Sequence, residues 1–179
     1  MKKILLSFAV AIMAFGAANA QKSSEKSSGK SLTWGVGVRL AMPIGDASNT
    51  TGFGVGGEFQ GEYMMSENMS LLGSVGYTSF MGKDYDYTAY GQTVKIAGKS
   101  SGVVPILVGF RYYPSTQFFV GAKVGYAVFT ASGATGGFNY EPQIGYNGSK
   151  IQVSVGYNGI SQTGSTFSTV GLSGIYKFN

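Results

Sequence analysis

The chain has 179 residues, with thirteen Lys and Arg against eight Asp and Glu, a formal charge of +5, and that balance is too mild to argue for a nucleic-acid partner. It contains neither cysteine nor histidine, which excludes a disulfide-stapled fold, histidine-dependent acid–base or triad catalysis, and the usual transition-metal sites. Twenty-nine glycines, twelve Phe, twelve Tyr and only four prolines suit β-structure, because glycine weakens helices while aromatics pack well on a pleated surface.

The first element, residues 1–20, opens with Lys2 and Lys3, continues through an apolar run from Ile4 to Phe15 and ends Ala18-Asn19-Ala20. This is the pattern of a secretory signal peptide with a small-residue cleavage site. The run is shorter than the roughly 20 residues of a membrane-spanning helix. Cleavage after Ala20 makes Gln21 the first mature residue and leaves eleven basic residues against eight acidic ones, +3. Residues 21–31, QKSSEKSSGKS, hold nothing apolar and read as a short disordered leader on the periplasmic side.

From Leu32 onward the sequence alternates. Leu32, Trp34, Val36, Val38, Leu40 and Met42 share one parity, with Thr33, Gly35, Gly37, Arg39 and Ala41 on the other, the mark of a strand with two unlike faces. The same pattern predicts eight strands near 32–42, 53–64, 69–80, 103–113, 118–129, 138–146, 151–159 and 168–178. Most are close to the 9–11 residues of a tilted membrane-crossing strand. Their connections alternate in length. Tight turns at 66–68, 114–117 and 147–150 are separated by longer links at 43–52, 81–102, 130–137 and 160–167, as in barrels with short periplasmic turns and long extracellular loops. Val94 and Ile96 share the parity of Val104 and Ile106, so the fourth strand is expected to run beyond the membrane into a protruding hairpin.

One face of these strands is apolar. The other carries Arg39, Glu58, Gln60, Glu62, Arg111, Lys123, Glu141, Gln143, Gln152, Asn158 and Lys177 among many glycines. Alternation alone does not say which face is inside. Small neighbours, however, are what long polar side chains need in the narrow interior of an eight-stranded barrel. Trp34, Tyr63, Tyr112, Phe118, Tyr146, Tyr176 and Phe178 also cluster at the short-turn ends, as a membrane-interface ring would. The expected fold is therefore all-β: an eight-stranded antiparallel up-and-down transmembrane β-barrel over 32–179, with its polar face inward.

The stretches 105–113 (PILVGFRYY), 119–126 (FVGAKVGY) and 170–178 (VGLSGIYKF) resemble the small eight-stranded outer-membrane barrels of the OmpA and OmpX type, over about residues 32–178. That resemblance implies an integral protein of the bacterial outer membrane with a plugged or narrow lumen, in a family of anchors, adhesion or defence factors and occasional narrow channels. It also implies that the alternating end, with Leu172, Tyr176 and Phe178 toward lipid, is read by the barrel-assembly machinery.

Candidate sites follow from the two faces and the longest link. Arg39, Arg111 and Lys123 with Glu58, Glu62 and Glu141 form a candidate polar network that either pairs to seal the lumen or lines a narrow porin-like channel for small polar solutes or apolar ligands. Near balance of charge favours pairing, since unpaired charges in a confined interior are costly. Tyr85, Tyr87 and Tyr90 in the link 81–102 are candidates for recognising an external protein or glycan. No catalytic residues, cofactor or metal site are expected. Gly52-Phe-Gly54-Val-Gly-Gly57 matches a dinucleotide fingerprint, but alternation continues where that motif needs a helix. Asp84 and Asp86 are too few carboxylates for a calcium site.

Overall fold

The computed structural model describes residues 31–89, 92–96, 98–131 and 135–178. In chain order the elements are β1 (Leu32–Ile44), the single-turn helix α1 (Ala47–Thr50), β2 (Thr51–Ser66), β3 (Met69–Gly82), β4 (Tyr85–Ala89), β5 (Gln92–Ile96), β6 (Ser101–Ser115), β7 (Phe118–Phe129), β8 (Gly137–Asn147), β9 (Ile151–Gln162) and β10 (Ser165–Phe178). Eight of the strands form one closed antiparallel barrel in the order β1-β10-β9-β8-β7-β6-β3-β2. The seam is made by the two ends of the described chain. Trp34 pairs with Phe178, Leu40 with Leu172 and Ile44 with Ser168, so the apolar last strand completes the sheet and leaves no unpaired edge.

The outside is apolar. Val38, Val108 and Ile144 are each 63% exposed and Val36, Val55, Leu71, Val120 and Leu172 are open to the surroundings. A soluble protein does not present such a continuous belt. The aromatics form two girdles. Tyr63, Tyr112, Phe118, Tyr146, Tyr176 and Phe178 stand exposed near the short turns, while Tyr77, Tyr126 and Phe138 stand exposed nearer the other end. Phe118 and Tyr126 on β7, like Phe138 and Tyr146 on β8, are eight residues apart. At ~3.4 Å per residue and a ~40° tilt this is about 21 Å of height, near the roughly 25 Å apolar band of outer-membrane barrels. The second girdle was not foreseen from the sequence.

The structure corrects the sequence reading at three places. The strands run to as many as 16 residues in β2, because their hydrogen-bond ladders continue past the girdles. The expected long link at 160–167 is a tight hairpin: Gln162 pairs with Ser165 and Gly164 takes φ +83°, a conformation open to glycine. The expected continuation of the fourth strand is instead a separate hairpin, in which Tyr85 pairs with Ile96 and Ala89 with Gln92, with no barrel strand beside it among the described residues.

Candidate functional site

Because side chains alternate across a strand, the polar parity of each strand falls inside the barrel, and the interior becomes the site. Arg39, Glu58, Glu62, Arg111, Lys123 and Glu141 all point into it, and none is more than 6% exposed. They sort into two levels.

The upper level is a ring of four. Lys123 Nζ donates to Glu58 at 2.7 Å and lies 2.8 Å from Glu141, while Arg39 reaches Glu141 at 2.5 Å and Glu58 at 3.6 Å. Cations and anions alternate around it, so it is neutral. Lys123 and Glu141 are direct cross-strand partners on β7 and β8, but Glu58 on β2 meets Lys123 only across the interior. Asn158 Nδ2 completes the ring by donating to Glu141 at 3.0 Å and to Asn139 Oδ1 at 2.8 Å.

The lower level, toward the short turns, is built on one cation and one anion. Arg111 Nη1 donates to Glu62 at 2.8 Å and to Gln152 at 2.9 Å. Glu62 also accepts from Ser70 at 2.5 Å and from the Tyr113 hydroxyl. Gln60 Nε2 donates to Gln152 Oε1 across the lumen at 2.9 Å, and the Arg111 guanidinium lies 4.4 Å from the Phe119 ring centroid, a favourable cation–π distance. Glycines make room for these long side chains. Arg111 faces Gly121 and Lys123 faces Gly109 across the β6–β7 seam, and a Cβ on either glycine would stand 2.8 Å from its partner's Cγ.

Above the ring lies an apolar layer that the polar composition of the inward face did not suggest. Ala41, Phe80, Val103, Ala127 and Ile160 are buried inward, with Phe129 and Phe167 packed on them. Phe167 sits edge-on to Phe80 and Phe129 at 5.2 and 5.7 Å. The available signal was that Phe80 and Ile160 share the parity of the inward polar residues of their own strands. Below Arg111, an open mouth of about 310 Å³ is lined by Glu62, Glu67, Tyr113, Asn147 and Lys177 among others. Lys177 donates to Asn147 Oδ1 at 2.7 Å.

The other sequence candidates are elsewhere. Leu172, Tyr176 and Phe178 lie on the outer surface, 45, 50 and 42% exposed. Tyr85 and Tyr87 fall in β4, and Tyr90 lies outside the described residues.

No protein-family model matches the chain, and no curated protein matches it. Solved structures do. The crystal structure of Ail, the attachment invasion locus protein of Yersinia pestis, is 12% identical with a TM-score of 0.53, covering 85% of this chain and all of that one. Ail in a phospholipid bilayer nanodisc gives 12% identity and a TM-score of 0.55, covering 84% of this chain and all of Ail. Ail has also been solved with the heparin analogue sucrose octasulfate, at 14% identity and a TM-score of 0.50, covering 85% of this chain and all of that one. A de novo designed transmembrane β-barrel gives 15% identity and 0.51, covering 87% of this chain and all of the design. At such identities the likeness is one of fold: this chain is an eight-stranded transmembrane β-barrel of the outer-membrane type.

Proposed function

We propose that the protein is exported by its first twenty residues, is integral to the bacterial outer membrane, and serves there as a non-enzymatic envelope and surface-recognition protein with a largely filled lumen. The observation that carries the filled lumen is the closed, neutral ring of Arg39, Glu58, Lys123 and Glu141 under an apolar layer centred on Phe80 and Phe167. Ions crossing it would have to break charge pairs and then pass dry aromatic surface. Catalysis finds no support in a chain without histidine or cysteine.

Recognition is assigned to the long-loop end, where the β4–β5 hairpin stands in the longest link with no third strand beside it among the described residues, a surface suited to peptide or glycan. The likeness to Ail, which is solved with a heparin analogue, supports a glycan as one class of partner. The links at that end carry Lys83, Lys95 and Lys99 against Asp46, Asp84 and Asp86. This balance favours a neutral glycan or a protein over a heavily sulfated chain.

A narrow channel is the second reading, favoured by the open mouth that reaches Glu62 and Tyr113. Planar-bilayer recording separates the two. The filled lumen predicts no current steps from the native protein, and stable ohmic steps would select the channel. A glycan and matrix-protein binding screen, repeated with residues 85–96 replaced by a short Gly-Ser turn, tests the recognition site.

A further inference from the structure

A small cavity of about 20 Å³ lies between the salt-bridged ring and the apolar layer, with Thr78, Asn139, Asn158 and Thr169 around it and Phe80 and Phe167 above. Thr78, Asn139 and Thr169 are 5, 0 and 2% exposed. Asn139 Oδ1 accepts from Asn158, but Asn139 Nδ2 has no hydrogen-bond partner among the described residues. A buried donor left unpaired carries its full desolvation cost, which native folds ordinarily avoid.

The wall is interrupted at the same place. The β3–β6 ladder pairs Val75 with Ile106 and Thr78 with Val103, but not the residues between them. The β8–β9 ladder likewise pairs Tyr140 with Gly159 and Gln143 with Gly156 and skips those between. Each break holds a proline, Pro105 or Pro142, which has no N–H to give to the neighbouring strand. Pro105 lines the cavity, and so does Asn158 from the second break. Hydrocarbon outside the barrel cannot hydrate backbone groups freed in its wall, so their compensation has to come from within the lumen.

We infer that this cavity is a binding site for one water molecule, which accepts from Asn139 Nδ2 and donates to the hydroxyl oxygens of Thr78 and Thr169. The volume admits a single water, and the lining supplies the polar partners that a buried water needs. The chemistry selects the same occupant. It must accept a hydrogen bond from Asn139, which excludes a metal or ammonium ion. A halide could accept, but it would set an unpaired charge between a neutral ring and an apolar layer, which is costly. Water both accepts and donates, and so joins β3, β8 and β10 through the interior at the height where two of the wall's seams are broken.

The test is water-selective NMR on the isotopically labelled protein in lipid nanodiscs. A cross-peak from water to the Asn139 side-chain amide is expected, with the rotating-frame sign of a bound water rather than of proton exchange. Ala41 lines the cavity and faces Gly54 and Gly171 on the adjoining strands, so Ala41→Val can be accommodated while its added methyl groups fill the space. That variant should lose the water cross-peak and keep the Asn139 resonance. Thr169→Val, equal in size but without the hydroxyl, should weaken the cross-peak. Unchanged heat-dependent gel mobility shows that both variants are folded. Absence of the cross-peak in the native protein would overturn the site, as would its persistence in Ala41→Val or at full strength in Thr169→Val. An Asn139 resonance that shifts when chloride is exchanged for bromide, with no water cross-peak, would overturn the water and reassign the cavity to a halide.

Discussion

Arg111 and Gly121 face each other across the β6–β7 seam, and the arginine side chain occupies the space that a side chain on Gly121 would need. A Cβ there would stand 2.5 Å from the Phe110 carbonyl oxygen and 2.8 Å from Arg111 Cγ, both inside contact distance. Gly121→Val should therefore destabilise the barrel by about 1–3 kcal/mol, the usual cost of overpacking. The midpoint of urea unfolding in lipid vesicles measures it. An unchanged midpoint would mean that Arg111 does not hold this position.

The same arginine allows a double-mutant cycle with Glu62. Arg111→Met alone leaves the Glu62 carboxylate buried without its cation, and should cost about 3–5 kcal/mol. Glu62→Met in the same chain removes the orphaned charge and should restore much of that loss. Additive losses in the double variant would show that the two side chains do not interact.

Depth in the membrane should grade the cost of a charge on the outer face. Leu172 lies midway along β10, and Ile151 begins β9 at the short-turn rim; both are exposed outward. Leu172→Arg is expected to cost about 2–4 kcal/mol and Ile151→Arg about 0–1 kcal/mol. Folding yields into bilayers of fixed thickness give the comparison, and equal costs would place the apolar band elsewhere.

Orientation can be read by proteolysis of intact cells. Cleavage is expected within residues 83–100, at the long-loop end, with the turn at 147–150 protected until the outer membrane is opened. The reverse pattern would invert the topology.

Much of the wall was legible in the sequence because alternation is a local property. Each residue of a barrel strand declares its face through its neighbours two positions away, whichever strands lie beside it. The parity of Val170, Leu172, Tyr176 and Phe178 thus already places them on one surface. The glycines among the charged residues of the opposite parity already indicate that the polar face is the crowded one. What local pattern does not contain is the pairing across the interior. Arg39 and Glu141 are 102 residues apart, and they meet because strand order and stagger bring β1 and β8 to the same height. The lid of Phe80, Val103, Ile160 and Phe167 arises in the same way, from four strands that each turn an apolar residue inward at the same height. So does the setting of Ser173, which the register seats directly beside Arg39, where an added cation would meet another cation. Alternation determined which residues enter the lumen; closure of the barrel alone decided which of them touch, because contact between distant strands depends on shear and tilt that no single strand encodes.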